Sequence, residues 1–194
     1  LLGLYNATSD SGPFLIGVGF VIFVLAGITD VLDGYLARRL AQQSAFGRIV
    51  DPFVDKILVV GAFVMLAAPN FIISADSVLS DVERSLPHWL TGGMISAVQP
   101  WMVVVVLARE FVISAIRGYS ESQGIKFPAT SAGKLKMLLQ SLAIGTVLFC
   151  VAWTPELIWA MWVKIILVWL SVIATVVSAF FYVSRTGTLL RENE

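Results

Sequence analysis

The sequence predicts an all-α integral membrane protein that forms one helical bundle, and three observations support this. Hydrophobic residues make up 58% of the 194 residues and charged residues only 13%, with a strongly positive mean hydropathy. Such a composition is typical of a chain that has the bilayer as its solvent. Long uncharged stretches recur along the chain, and a helix is the open-ended element that satisfies its own backbone in lipid. This length suits one bundle, so we expect residues 1–194 to form a single domain.

Five segments are long and apolar enough to be candidate transmembrane helices. Most are free of charged residues, but the third contains Arg109 and Glu110 and the fifth contains Lys164 near its start. The sequence therefore predicts five visible spans. These segments are residues 11–29, 57–75, 96–116, 137–155 and 157–184.

The distribution of basic residues predicts how the bundle is oriented. Basic residues are concentrated after the first, third and fifth segments, whereas the loop at about 70–95 has one arginine among three acidic residues. By the positive-inside rule, the basic side is cytoplasmic, in a plasma or inner membrane. The basic residues on that side are Arg38, Arg39, Arg48, Arg117, Lys126, Lys134, Lys136, Arg185 and Arg191.

The beginning of the chain leads to a further expectation. Residues Leu1-Leu2-Gly3-Leu4-Tyr5 are apolar, with neither an initiator methionine nor the basic flank of a signal peptide. Five spans with a cytoplasmic C-terminus would leave the N-terminus outside. We therefore expect an upstream segment with one more span, which would make six helices.

Two pairs of aspartates lie at the cytoplasmic edge of the first two spans. Asp30 and Asp33 are three residues apart and Asp51 and Asp55 are four apart, so on helices each pair shares one face. Four carboxylates in one cleft near the bilayer would repel each other unless cations lay between them. Oxygen ligands favour Mg²⁺ or Mn²⁺, and a two-ion site is common in displacement at phosphorus. The aspartates therefore predict a two-metal site.

The residues around these pairs fit a phosphate-containing ligand. Gly34 would let a ligand approach the helix closely, and Arg38 on the same face has a planar group suited to a phosphate oxygen. Gly47 lies four residues before Asp51. Pro52 allows two interpretations: either Asp51 caps the second helix with Pro52 at its first position, or Pro52 kinks that helix.

These residues form a recognisable pattern. The stretch Asp30-Val-Leu-Asp33-Gly34-Tyr-Leu-Ala37-Arg38, then eight residues, then Gly47-Arg-Ile-Val-Asp51-Pro-Phe-Val-Asp55, resembles the signature of the CDP-alcohol phosphotransferase family. The resemblance implies a six-helix membrane bundle, commonly a homodimer. It also implies that an alcohol attacks the phosphorus attached to diacylglycerol in CDP-diacylglycerol, with CMP leaving.

The resemblance further implies roles for the residues of the motif. The four aspartates would bind two divalent ions, Mg²⁺ or Mn²⁺, and Asp55 would also be the general base. The cytidine nucleotide would be held by small residues and one arginine. Those residues are Gly34, Ala37, Arg38 and Gly47.

Four cations suggest which acceptor is used. They lie at the cytoplasmic ends of the third and fourth spans and exceed what a neutral alcohol requires, so they indicate a phosphorylated acceptor. The stretch from Arg109 to Arg117, with Gly133-Lys134-Leu-Lys136 and Gln140, is similar to family members that use glycerol 3-phosphate. Phosphatidylglycerol, as in cardiolipin synthases, and inositol phosphate remain alternative acceptors, and no nucleic-acid partner is expected. The four cations are Arg109, Arg117, Lys134 and Lys136.

Other interpretations of the same residues stay open. Lys134 and Lys136 could be anchors for lipid headgroups, Arg109 could form an ion pair between helices with Glu110, and Arg117 could pair with Glu121. Carboxylates in membranes also line divalent-cation transporters, although those sites usually lie near the midplane. A catalytically inactive scaffold would be favoured if an aspartate were replaced, and all four are present.

Overall fold

The computed structural model describes residues 12–40, 47–73, 86–123 and 131–191. In these ranges the protein is built from α-helices, which confirms the predicted fold class; the β interaction found there is an isolated bridge between Ile72 and Met94. A short 3₁₀ turn covers Pro69–Phe71. The helices are α1 (Gly12–Leu40), α2 (Gly47–Leu66), α3 (His88–Thr91), α4 (Pro100–Ser122), α5 (Ser131–Trp153) and α6 (Ile158–Arg191).

The long helices α1, α2, α4, α5 and α6 overlap the five predicted segments. In the described ranges, three stretches are long and apolar enough to cross a membrane: Gly12–Asp30, Gly133–Trp153 and Ile158–Ser184. The protein is therefore a membrane protein, as predicted. In α2 the apolar stretch is shorter, Lys56–Leu66. The number of spans stays a prediction, and the expectation about the N-terminus falls on residues outside those described.

Helix α2 begins well before the apolar segment that predicts it. It starts at Gly47 and ends at Leu66, whereas the sequence predicts a span over 57–75. Asp51 and Pro52 thus lie inside the helix, and the interpretation of Asp51 as its N-cap is wrong. Because Pro52 has no N–H, it removes one backbone hydrogen bond from the second turn.

Helix α5 holds the bundle together. It packs most extensively along α6 and also against α1, while α4 packs on α6 and α2 contacts both α4 and α5. The outward surfaces of these helices carry large apolar side chains, and Phe14 and Phe180 are each 72% exposed. Such surfaces suit contact with lipid tails.

The apolar core lies at the end of the bundle opposite the aspartates. Residues 86–99, which we name the outer cap, fold over this end. Ser96 Oγ donates a hydrogen bond to the Leu66 carbonyl at 2.7 Å, and Lys164 Nζ donates one to the Ile95 carbonyl at 2.8 Å. Because these polar groups bond backbone carbonyls, the cap closes this end without leaving them unsatisfied. Buried core side chains include Phe63, Leu66, Phe71, Val98, Met102, Ile144 and Leu148.

Candidate active site

The two aspartate pairs lie on two helices of the bundle. Asp30 and Asp33 belong to α1, and Asp51 and Asp55 belong to α2. Both stretches are continuous helix, so the spacings of three and four residues place each pair on one helical face. The side chain of Asp30 is exposed, and those of the other three lie outside the described part of the structure. Convergence of the two pairs on one site therefore stays a prediction.

The described side chains include no group of three or more metal-ligating residues. This does not test the predicted metal site, because Asp30 is the one aspartate of the four whose side chain is described. The nucleotide-binding candidates can be placed by backbone. Gly34, Ala37 and Arg38 lie on α1, and Gly47 is the first residue of α2. Like those of Asp33, Asp51 and Asp55, the side chains of Ala37 and Arg38 lie outside the described part of the structure.

An apolar groove of about 330 Å³ runs between α1 and α2, with Leu148 of α5 at its base. Its α1 wall includes Ala26, one helical turn before Asp30, and its α2 wall includes Ile57 and Gly61. The space is open, since a Cβ added at Gly61 would meet no atom within 4 Å. The groove thus leads from the lipid-facing surface towards the aspartate pairs. Sequence analysis did not identify it, because a groove depends on how two helices pack.

Three of the charged side chains on α4 and α5 form a buried cluster. Glu110 Oε1 accepts a hydrogen bond from Arg109 Nη1 at 2.9 Å and another from Lys136 Nζ. The side chains of Arg109 and Glu110 are each 11% exposed and that of Lys136 is 4% exposed. The ion pair considered for Arg109 is therefore present, but it joins neighbours on α4. Lys136, predicted either to bind phosphate or to anchor headgroups, makes the contact between helices.

A line of hydrogen bonds extends this cluster to α6. Arg109 Nε donates to Ser178 Oγ at 3.3 Å, and Ser178 Oγ donates to the Thr175 carbonyl at 2.9 Å. Gln140 Nε2 on α5 donates to Thr175 Oγ1 at 3.1 Å. Sequence analysis did not single out Ser178 or Thr175. They could have been predicted from the spacing of small polar residues along an otherwise apolar helix, a pattern that is typical of helix contacts in membranes.

The other two predicted acceptor cations have a different environment. The side chains of Arg117 and Lys134 are exposed. The proposed pairing of Arg117 with Glu121 falls on a side chain outside the described set. The four predicted cations therefore divide into a buried pair, Arg109 and Lys136, and an exposed pair.

Lys56, which directly precedes the second predicted span, adds a further cation to which sequence analysis gave no role. Its Nζ donates to Ser114 Oγ on α4 at 2.6 Å, and Ser114 Oγ donates to the Glu110 carbonyl at 2.7 Å. The cluster is thereby linked to α2, the helix of Asp51 and Asp55. The position of Lys56 directly after Asp55, at the predicted membrane edge, is the sequence feature that could have indicated a role in the site.

Two helical pairs of carboxylate residues and a mainly cationic cluster thus lie at one end of an apolar membrane bundle. The profile of one family, CDP-alcohol phosphatidyltransferase, matches residues 11–177. The chain belongs to this family and is an enzyme of this class.

Curated relatives share most of the chain. A CDP-diacylglycerol–glycerol-3-phosphate 3-phosphatidyltransferase of Haemophilus influenzae is 33% identical over 184 residues, covering 93% of this chain and 82% of the relative. Proteins of the same name are 27% identical in Bacillus subtilis, covering 97% and 83%, and 31% identical in Salmonella choleraesuis, covering 89% and 81%. The similarity therefore extends over nearly the whole chain and over most of each relative.

Proposed function

We propose that this protein transfers the phosphatidyl group of CDP-diacylglycerol to glycerol 3-phosphate, giving phosphatidylglycerophosphate and CMP. The observation that carries the proposal is the cluster of Arg109, Glu110 and Lys136 at the same end of the bundle as the aspartate pairs. Two cations and one carboxylate leave one positive charge in a mostly buried place. A phosphorylated acceptor would neutralise it, whereas a neutral alcohol would not.

The aspartates fit a divalent metal by their chemistry. Members of this family generally depend on a divalent metal ion. Asp30, Asp33, Asp51 and Asp55 offer oxygen donors only, on consecutive turns of two helices, which is the donor set that Mg²⁺ or Mn²⁺ prefers. We propose that they hold two such ions. Bound there, the ions would supply charge neutralisation for the diphosphate and the leaving CMP.

The residues of the motif would then carry the reaction. Asp55 takes the proton from the primary hydroxyl of the acceptor, whose oxygen attacks the phosphorus attached to diacylglycerol. A new phosphorus–oxygen bond forms as the bond to the CMP oxygen breaks. Arg38 would contact a phosphate oxygen of the nucleotide. Three small residues leave room for the nucleotide beside the helices, and these are Gly34, Ala37 and Gly47.

The acceptor site would be formed by the two pairs of cations. Arg109 and Lys136 are held in place by Glu110, so they present a preformed positive charge instead of two mobile side chains. The exposed Arg117 and Lys134 would attract the acceptor at the mouth of the site and contact its phosphate.

The lipid part of the substrate has a matching surface. The groove between α1 and α2 is apolar and reaches Ala26, one turn before Asp30, and Ile57, two residues after Asp55, so an acyl chain of CDP-diacylglycerol could lie in it while the diphosphate meets the aspartates. We further propose that the chain forms one domain, that the aspartates face the cytoplasm, in line with the positive-inside rule, and that the enzyme is a homodimer, as is common in the family.

CMP release from CDP-diacylglycerol by the purified protein tests the proposal. The acceptors are glycerol 3-phosphate, inositol phosphate, phosphatidylglycerol and serine, each with Mg²⁺ or Mn²⁺ and, as a control, with a chelator. We expect metal-dependent release with glycerol 3-phosphate. Release with another acceptor alone would contradict the assignment of the acceptor. No release with any acceptor, together with divalent-cation flux into liposomes, would favour a transporter instead.

A further inference from the structure

Lys56 lies where the two parts of the proposed active site meet. It directly follows Asp55 on α2, and its ammonium group reaches across to Ser114 on α4. Glu110 lies one turn before Ser114 on α4, and its backbone carbonyl accepts the hydrogen bond of the Ser114 hydroxyl. The side chain of Lys56 therefore links the helix of the proposed general base with the helix of the acceptor cluster.

The hydroxyl of Ser114 is directed by its neighbours. Because its proton goes to the Glu110 carbonyl, its oxygen lone pairs are left to accept the hydrogen bond from Lys56. An ammonium group has three donors, and Ser114 uses one of them. Among the described residues, Lys56 is thus positioned by Ser114, and two of its three donors make no hydrogen bond there.

The charges of this region do not balance among the described side chains. Arg109 and Lys136 share the Glu110 carboxylate, and Lys56 is linked through Ser114 to the Glu110 backbone carbonyl, so three cations accompany one described carboxylate, which leaves two positive charges. Lys56 and Lys136 both approach Glu110, Lys56 through Ser114 at its backbone carbonyl and Lys136 at its carboxylate. Repulsion between partly buried cations is costly in a medium of low dielectric constant, so an anion between them would be stabilised.

We infer that Lys56 determines specificity for the acceptor by binding its phosphate group together with Arg109 and Lys136. The inference rests on the proposed function and adds a residue to it. Glycerol 3-phosphate is short, so a phosphate held beside Lys56 keeps its primary hydroxyl near Asp55, the preceding residue of α2. An acceptor without phosphate would lack this contact and would not be held in position.

Lys56 could instead be a simple brace between α2 and α4, and two variants separate these roles. Lys56→Gln keeps a donor for Ser114 and removes the charge. Ser114→Ala keeps the charge and removes the bond. Ser122→Ala is the matched control, because among the described residues Ser122 Oγ bonds its own helix alone, at the Tyr119 carbonyl 2.7 Å away.

The first measurement is steady-state kinetics of the full chain with CDP-diacylglycerol and glycerol 3-phosphate. Lys56→Gln should raise KM for glycerol 3-phosphate about 10- to 100-fold, the range expected for one hydrogen bond to a charged group. KM for CDP-diacylglycerol should stay near that of the wild type, and Lys56→Arg should recover most of the loss. Ser114→Ala should have a smaller effect and Ser122→Ala none.

The second measurement is thermal unfolding with and without inorganic phosphate, which does not require turnover. Phosphate should raise the Tm of the wild type and of Ser122→Ala, and it should raise that of Lys56→Gln less. If the wild type does not use glycerol 3-phosphate, the proposed function fails while this measurement still tests the anion site. The inference is overturned if Lys56→Gln keeps the full phosphate shift, or if Ser114→Ala raises the acceptor KM as much as Lys56→Gln does.

Discussion

Lys136 on α5 and Glu110 on α4 form a buried ion pair, and the same carboxylate oxygen of Glu110 also binds Arg109. One acidic residue therefore fixes two cations that come from different helices. Because Arg109 also donates a hydrogen bond to Ser178 on α6, the cluster joins three helices. The position of the cations proposed to bind the acceptor thus depends on a residue of opposite charge.

We expect Glu110→Gln to destabilise the protein by about 3–5 kcal/mol, because it leaves two buried cations without their shared carboxylate. The check is the free energy of unfolding in a mild detergent. Glu156→Gln is the matched control: Glu156 is exposed at the other end of the bundle, so its loss should change stability by less than about 0.5 kcal/mol. Equal effects of the two variants would show that the pair contributes little.

Asp55→Asn should reduce turnover by about 10²- to 10⁴-fold, the usual contribution of general-base catalysis. The substitution keeps the size of the side chain and removes its basicity, so binding of CDP-diacylglycerol should be partly retained. CMP release under saturating substrates measures the first effect, and a nucleotide-binding assay measures the second. Near-normal turnover would exclude Asp55 as the base.

Arg117→Ala and Lys134→Ala should each raise KM for glycerol 3-phosphate about two- to fivefold, since exposed charge pairs contribute at most about 1 kcal/mol. KM for CDP-diacylglycerol should change less. The effect should also shrink as ionic strength rises, because exposed charges are screened by salt. Were both KM values to rise equally, these residues would have no special role for the acceptor.

Filling the groove between α1 and α2 should affect the lipid substrate alone. Gly61→Leu places a side chain in open space, so the fold should tolerate it. We expect KM for CDP-diacylglycerol to rise at least about threefold from lost van der Waals contact, since the groove and lipid tails are equally apolar. Gly61→Ala, a smaller change at the same place, should have a weaker effect. An unchanged KM in Gly61→Leu would remove the groove from substrate binding.

Ser96→Ala should weaken the outer cap without affecting catalysis. Ser96 is fully buried, and its hydroxyl donates to the Leu66 carbonyl and accepts from the Val98 N–H. Leaving these groups unsatisfied costs about 1–3 kcal/mol. The Tm should therefore fall, while KM values measured well below that Tm stay unchanged. Altered KM values would mean that the cap communicates with the active site.

Sequence reasoning predicted the helices well where they are apolar and poorly where they carry charge. The candidate span 137–155 lies almost entirely within α5 because it is free of charged residues. The apolar window places the start of the second span at residue 57, ten residues after α2 begins, because residues 47–56 contain charges and Pro52; helix over Asp51–Asp55 was predicted only from the spacing of the aspartates. The whole of residues 47–56 is helical in the folded bundle, but a search for long apolar stretches does not detect helices of this composition.

The candidate site was predictable to the extent that it depends on spacing along one helix. The aspartate pairs were placed on helical faces from their spacing, and the helices α1 and α2 agree with it. The contact of Lys136 with Glu110 was not predicted, since it depends on how α5 is rotated against α4. Lys56 was missed for the same reason: its partner Ser114 is 58 residues away in the chain.

The tightly packed half of the bundle at the end opposite the aspartates bears on whether ions could pass through the protein. Fully or almost fully buried side chains in this half are Phe63, Met102 and Ile144, together with Ile95 of the outer cap. An ion that reached the active site would have to lose its hydration to pass this layer, at a cost of many kcal/mol. The described part of this layer would therefore oppose the passage of ions through the bundle from the proposed active site.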